Sequence, residues 1–320
     1  MYTIEQDGAL LASLFALFPT RSRTSIKNML SKGQVQVNGQ SVTAFDHPLR
    51  KGDKLTILPK GISIARSIRS DAREEVLKAG VQILFEDTCF LVVDKPSGML
   101  CVSTARGSSA KSGHKEKTLY ALLNAYIKVN ARMQRKEDLL SGKEPDRSTA
   151  KVWIIHRLDK GTSGVVLFAK TEQAKNLLQS KWKELVAERK YVAWLEGKVE
   201  KDSGAIQSWL AENPKSLKMM SFPQEVKDSQ LAITHYKVLR RSRYYTQAEF
   251  SLETGRKNQI RGHAAQMGHP VAGDEKYGAQ TDPLRRLALH AHTLVFRNPY
   301  SQKMVRCTSP LPESFERLAK

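Results

Sequence analysis

Two apolar runs separated by one polar turn constrain this chain more than any other feature. Trp153, Ile154 and Ile155 are followed within a turn by His156, Arg157, Asp159 and Lys160, then by Gly161, Thr162, Ser163 and Gly164, and then by the run Val165–Ala169. Two strand-like segments flanking a Gly/Ser/Thr loop present polar side chains at the edge of a sheet. Asp159 falls where the first strand ends. A single loop aspartate most often caps a turn, so any chemistry at Asp159 has to be argued from partners elsewhere in the chain.

At 320 residues and 40% hydrophobic content there is material for one large domain and a small one. The formal net charge of +20 points to a polyanionic partner, nucleic acid first. An anionic membrane surface would require a basic amphipathic helix beside exposed aromatics, and no such concentration occurs. The three cysteines, Cys89, Cys101 and Cys307, form no CxxC pair, which leaves no zinc ribbon or disulfide framework. The run Ala9–Phe18 has the apolar character of a signal core, but Glu5 and Asp7 stand where basic residues belong. No run has the length of a membrane-spanning helix. The expectation is a reducing, cytoplasmic setting.

Taken in order, Leu10, Leu14, Leu17 and Phe18 recur at helical spacing, and Pro19 ends that helix. Thr20 or Ser22 can cap a second helix with the apolar stripe Ile26, Met29 and Leu30, closed by Gly33. Gln34–Val37 alternates, Asn38-Gly39 is a hairpin turn, and Leu55–Leu58 is another short strand. Residues 1–58 therefore form a small αα-β module. Residues 1–70 hold ten Lys or Arg against four Asp or Glu, a difference of +6, with Arg21, Arg23, Lys27 and Lys32 clustered about the second helix. A solvated helix face accounts for such a cluster equally well. The order of elements tips the reading: RTSIKNMLSKGQVQVNGQ with its following KGD turn resembles the small RNA-binding module of a ribosomal small-subunit protein and several tRNA synthetases, in which basic helix and hairpin grip RNA backbone.

Residues 59–80, polar and containing Pro59 and Gly61, read as a linker with a short helix near Ser70. A larger domain over 81–320 opens with strands at Val81–Phe85 and Phe90–Val93. The sharp turn Asp94–Gly98 and a mobile basic loop over 103–117 follow. Thr118 caps a helix carrying Leu119, Leu122, Leu123, Tyr126 and Ile127, and residues 130–150 read as a surface excursion. Thr171–Glu188 reads as one amphipathic helix, Tyr191–Leu195 as a strand, and 202–230 as irregular. Tyr236–Leu239 and Tyr245–Leu252 form a hairpin, Asn258–Met267 a helix closed by Gly268, and Leu287–Phe296 the last strand before a terminal helix. The fold class is α/β in the α+β sense: a mixed, largely antiparallel sheet with flanking helices around a basic cleft.

Other chemistries fit poorly. TSG is not a nucleophile elbow, so Ser163 is no hydrolase nucleophile. His156 and His263 lack metal-ligand spacing, and His290 and His292 alternate on one strand face without a third ligand. The segment Leu252–Gly278 puts Arg256, Arg261 and His263 at a helix start, ahead of a Gly-rich loop ending in Asp274 and Tyr277. Arg256 and Arg261 suit phosphate contact. A guanidinium beside a carboxylate also keeps that carboxylate charged and aimed, which offers Arg261 as partner to an aspartate.

HRLDKGTSG, with TGRKNQIRGH, the following GD..YG and DKPSGM upstream, resembles the RluA-type family of RNA pseudouridine synthases over roughly residues 81–318. The resemblance implies an isomerase without metal, nucleotide or redox cofactor, acting on RNA, with large-subunit ribosomal RNA ahead of transfer RNA. No membrane or obligate protein partner is implied. It assigns catalysis to Asp159, pairing with that aspartate to Arg261, displacement of the target uridine to Arg157, stacking on the base to Tyr191, and a wall of the base pocket to Ile260. His156 and Arg256 join the RNA-facing set. The family commonly has His where this chain has Asn258, which puts one contact in question. The small residues of the 161–164 loop are expected to leave room for a nucleotide. The competing reading is a catalytically silent RNA-binding or ribosome-assembly protein.

Overall fold

The computed structural model describes residues 1–103, 117–146 and 150–319. The chain divides into two compact units, one of Met1–Lys78 with Asn124–Ala150 and one of Ala79–Leu123 with Lys151–Lys320. The basic loop expected over 103–117 lies almost wholly outside the described residues.

In the first unit, β1 (Tyr2–Thr3), β2 (Gly8–Ala9), α1 (Leu10–Leu17), α2 (Arg23–Ser31), β3 (Val35–Val37), β4 (Gln40–Ser41), β5 (Pro48–Leu49) and β6 (Lys54–Ile57) follow one another. Four strands form an antiparallel sheet in the order β1-β6-β3-β4, and β2 pairs with β5. Leu10 and Leu14 of α1 pack with Ile26, Met29 and Leu30 of α2 and with Val35 and Leu55 from the sheet. The Ser22 hydroxyl accepts from Ser25 N at 3.2 Å and so caps α2. Asn38 and Gly39 both take positive φ, the geometry a two-residue hairpin demands.

The expected linker is instead helical: α3 runs Lys60–Lys78. Pro59 stands just outside its first turn, where proline costs no hydrogen bond, and Glu74 and Glu75 pair with Lys78 along one face. The helix that begins at Thr118, α4 (Leu119–Leu140), continues through much of the expected surface excursion. Residues 147–149 of that excursion lie outside the described residues.

The second unit contains β7 (Gln82–Glu86), β8 (Phe90–Lys95), β9 (Trp153–Ile154), β10 (Ser163–Ala169), α5 (Glu172–Ser180), α6 (Trp182–Leu185), β11 (Val186–Glu196), β12 (Ser203–Glu212), β13 (Met219–Phe222), β14 (Gln230–Arg241), β15 (Tyr245–Leu252), α7 (Gln259–Gln266), β16 (Leu289–Arg297) and β17 (Met304–Thr308). They form one eleven-stranded mixed sheet in the order β13-β12-β14-β15-β11-β16-β10-β8-β7, with β17 on β16 and β9 on β10. Every pairing is antiparallel except β10 with β16. At that junction Gly164 has φ +112° and faces Ala291, whose carbonyl oxygen lies 2.1 Å from where a Cβ would stand. Only glycine lets the strand carrying the Asp159 loop approach β16 this closely.

Three readings change here. Residues 203–212 and 219–222 are paired strands rather than irregular chain, because β14 pairs with Ser203–Leu210 of β12 and β13 pairs with its other edge. The helix expected over 171–188 breaks at Lys181, and Val186 already belongs to β11, which is held by strands on both sides. The last expected strand has its own partner, β17. Among the described residues the core includes one cluster around Trp194, Phe250 and Phe315 and another around Phe90, Leu167 and Phe296 on neighbouring strands. Among the described residues no helix is long and apolar enough to cross a membrane.

Candidate active site

The loop between β9 and β10 carries Asp159, and a second loop holds it from behind. Lys95, fully buried, donates from Nζ to the carbonyls of Pro96 and Met99 at 2.9 Å and of Lys160 at 3.3 Å. Gly98 N donates to Lys160 O at 2.8 Å and Ser97 Oγ to Gly161 O at 2.7 Å. Leu158 N donates to Cys101 Sγ at 3.4 Å. The DKPSGM and HRLDKG segments are thus two halves of one platform. Burial pushes the Lys95 ammonium down to about 8.

From the opposite side, α7 presents Arg261. Its Nη1 reaches Asp159 Oδ2 at 3.2 Å, while Nε and Nη2 clamp Asp274 Oδ2 and Oδ1 at 2.6 and 2.7 Å. Asp274 is the deeper partner, with 1% of its side chain exposed against 26% for Asp159, so the guanidinium is anchored on Asp274 and extended toward Asp159. Burial works against the Arg261 charge, but the hydrogen bonds and charge of Asp274, and then of Asp159, raise its affinity for the proton.

Asn258 supplies a contact that the sequence left in question. It occupies the N-cap of α7 in the left-handed conformation, φ +50°, and its Nδ2 donates to Asp159 Oδ2 at 2.5 Å. Asparagine tolerates that backbone better than most residues. Its Oδ1 accepts from the Tyr277 hydroxyl at 3.3 Å, and that hydroxyl accepts from Met219 N at 3.0 Å. The Tyr277 ring lies 4.9 Å from the Arg261 guanidinium carbon. Both donors to Asp159 converge on Oδ2, and Oδ1 accepts no hydrogen bond among the described residues.

A cavity of about 70 Å³ opens beside the carboxylate, lined by Asp159, Arg157, Tyr191, Arg256, Ile260 and Arg261 among others. Six of the expected residues therefore meet at one place. Arg157 is exposed and makes no hydrogen bond or ion pair among the described residues. Arg256 is fixed by Nε to Leu231 O at 3.0 Å. Burial raises the Tyr191 phenol; Arg189 opposes this and Asp159 adds to it.

His156 is directed inward. Its Nε2 accepts from Leu167 N at 3.0 Å, and burial, with Arg189 adding to it, pushes the imidazole down to about 4. It is a neutral strut between the loop and β10, and its ring stands beside Trp182. His263 is buried between Ser208 and Thr234 in the same way. The small residues of the loop also differ from expectation. Ser163 is buried against His290 and Arg286, Gly161 packs on Leu287, and Gly164 on Ala291, so they close the loop onto the sheet; only Thr162 borders the cavity.

Arg21, Arg23, Lys27 and Lys32 lie in the first unit, on and around α2. The guanidinium carbons of Arg21 and Arg23 stand 5.3 and 5.8 Å from the Phe18 and Phe15 rings, and none of the four forms an ion pair among the described residues. Lys95, Asn258 and Asp274 were not singled out as site residues from sequence; the signal for them was that they stand in DKPSGM, TGRKNQIRGH and GD..YG, the motifs that accompany HRLDKGTSG.

A model of the RNA pseudouridylate synthase family matches residues 89–266, and the chain belongs to that family, the RluA-type enzymes its motifs resemble. It is accordingly an RNA pseudouridine synthase, an isomerase. It is 33% identical over 298 residues to an uncharacterized RNA pseudouridine synthase of Bacillus subtilis, YlyB, covering 93% of this chain and 88% of that one. It is 30% identical over 321 residues to ribosomal large subunit pseudouridine synthase D of Xanthomonas campestris pv. campestris, covering 96% and 86%. The solved structure of human RNA pseudouridylate synthase domain containing 4 shares the fold, with a TM-score of 0.54 over 81% of this chain and 97% of that one, at 21% identity.

Proposed function

We propose that this enzyme isomerises specific uridines of large-subunit ribosomal RNA, with Asp159 as the single catalytic carboxylate. The observation that carries the catalytic assignment is the asymmetry of Asp159: Oδ2 is held by Arg261 and Asn258, while Oδ1 has no donor among the described residues, beside a cavity that Tyr191 and Ile260 also line. The substrate assignment is supported by 30% identity to relatives named for the large ribosomal subunit.

The reaction breaks the C1′–N1 bond of a uridine, turns the uracil, and joins C1′ to C5 with loss of the C5 proton and uptake of one at N1. Glycoside hydrolysis ordinarily takes two carboxylates, one acting as acid on the leaving group. Uracil leaves as a delocalised anion and is retained, so one carboxylate suffices. Asp159 Oδ1 serves either by attacking C1′ or by taking the C2′ proton. Tyr191 stacks on the ring and keeps it in place. Its phenol, raised by burial, holds its proton at neutral pH and can carry a hydrogen bond to the turning base. A paired uridine must first leave its helix at a cost of a few kcal/mol; Arg157, exposed and unpaired at the cavity mouth, displaces it, and backbone contacts from the basic surface offset that cost. Residues 1–58 serve as an RNA-binding module and 81–320 carry the catalysis, with the four cations about α2 on RNA phosphates.

Mapping pseudouridine in ribosomal and transfer RNA from cells with and without the gene tests the substrate. A site missing from large-subunit RNA in the deletion supports the reading. A site missing only from transfer RNA would replace the substrate assignment. No missing site at all would favour the silent binding protein and overturn the proposal.

A further inference from the structure

Next to the small cavity lies a much larger groove of about 850 Å³, and the two share Arg157, Tyr191, Leu252 and Arg256 as a common wall. A volume of that size lies within the roughly 300–1,000 Å³ typical of ligand sites, so the target uridine beside Asp159 leaves most of it unaccounted for. Five cations border it, Arg157, Lys181, Lys183, Arg189 and Arg256, against the carboxylates Glu184 and Glu253. Glu253 is already held by His235 at 2.5 Å.

The floor is built around Trp182 and Arg189. The helix break at Lys181 sets Trp182 at the start of α6, in the groove wall, with the His156 ring 5.6 Å away at 56° and the Arg189 guanidinium carbon 5.5 Å over its ring. Arg189 is half-buried and has no carboxylate partner among the described residues. Its Nη2 alone is engaged, by the carbonyls of Leu252, Glu253 and Thr254 at 3.0, 3.3 and 3.3 Å. A desolvated guanidinium met only by carbonyl dipoles retains donors for an anion. Gly255 makes the perch possible: a Cβ there would stand 2.8 Å from Arg189 Nη1.

We propose that this groove is a second nucleotide subsite, which holds the RNA residue next to the target uridine with its base against Trp182 and its phosphate on Arg189 and Arg157. The proposal rests on the reading that the Asp159 cavity takes a uridine of an RNA chain. An aromatic ring, an unpaired guanidinium and a shared wall with the target cavity are the components that single-stranded RNA requires: a stacking surface, an anion site, and continuity over one backbone step. An uncharged small molecule would leave the five cations without partners. The subsite also explains the position of Arg157, which lies on both walls and so faces the phosphate joining the two nucleotides.

The test measures equilibrium binding and pseudouridine formation together, using an in vitro transcript of the large-subunit ribosomal RNA at physiological salt. Trp182→Ala is expected to weaken binding about tenfold, Trp182→Phe to keep it within about twofold because the stacking surface survives, and Gly255→Ala to weaken it several-fold by dislodging Arg189. The salt dependence of binding should lose about one unit of slope in Gly255→Ala. The loss should fall on Kd rather than on the rate at which bound RNA is converted. Binding by Trp182→Ala within twofold of wild type, or equal loss in Trp182→Phe and Trp182→Ala, overturns the subsite. A wild-type enzyme that binds the transcript without forming pseudouridine counts against the function proposed above, and the Trp182 comparison still decides the groove.

Discussion

Replacing Asp274 by Asn probes the support of the site without touching the carboxylate that faces the cavity. Asp274 gives Arg261 two charge-assisted bonds of 2.6 and 2.7 Å, while Asp159 gives one of 3.2 Å. The Asn side chain keeps one acceptor, turns the other oxygen into an N–H donor against a guanidinium N–H, and removes a charge that is 1% exposed. Breaking a buried pair from one side typically costs about 3–5 kcal/mol; with one acceptor retained, a loss of roughly 2–3 kcal/mol in folding stability follows. Asp159 then becomes the only carboxylate on Arg261. At 3.2 Å and an effective dielectric near 20 the attraction between them is about 5 kcal/mol, enough to draw the guanidinium off its present line and Asp159 with it. A displacement on the order of 1 Å at a reacting group costs about 100-fold in rate. The assay is single-turnover release of tritium from RNA labelled at uracil C5, with urea unfolding on the same preparation. A variant as stable and as fast as wild type would refute the account of Arg261 as a guanidinium anchored on Asp274.

Other perturbations separate the remaining parts. Asn258→Ala removes one of two donors to Asp159 Oδ2 and a partner of Tyr277, and is expected to lower the rate about tenfold with RNA affinity kept, checked by the same tritium assay; an unchanged rate would make Asn258 a capping residue only. Lys95→Met leaves the carbonyls of Pro96 and Met99 without their side-chain donor, while Lys160 O keeps Gly98 N, and is expected to cost about 2–4 kcal/mol in urea unfolding; a neutral substitution would show that the platform behind Asp159 holds without it. Burial, aided at His156 by Arg189, pushes His156, His263 and His290 down to about 4 from an ordinary value near 6.5. Between those limits the unfolded chain binds more protons than the native one, so stability is present above pH 6.5 and is lost as the pH falls toward 4. The buried His263 and His290 each contribute roughly 2 kcal/mol of loss at pH 5; equal stability at pH 7 and pH 5 would contradict the neutral, buried assignment.

Local chemistry made much of the fold readable. The Ser22 cap, the Asn38-Gly39 turn and the β14–β15 hairpin each depend on residues within a few positions of one another, and each stands where its sequence put it. The failures involve distant partners. β12 alternates weakly because both its faces are partly exposed, and only its pairing with β14 identifies it. α3 contains the breakers of a linker, yet Pro59 falls just before its first turn. The apolar stripe of α5 runs on past Lys181, but two neighbouring strands claim the chain from Val186 onward. At the site, Asp159 and Arg261 were legible because a pattern of motifs paired them across 102 residues. Asn258 was noticed only as a departure, since its role depends on a left-handed N-cap that no spacing reveals. A histidine in a polar turn likewise gives no sign that the His156 ring accepts a backbone N–H from the next strand.

The central claim is that one carboxylate, Asp159, performs the isomerisation. The direct measurement is pseudouridine formation by Asp159→Asn under single-turnover conditions, beside its affinity for the same RNA. Asn keeps the shape of the side chain and an oxygen for Arg261, so the account predicts RNA binding close to wild type and no detectable product. Product formed at a rate within tenfold of wild type would remove Asp159 from the chemistry and leave the loop it sits on as a structural turn.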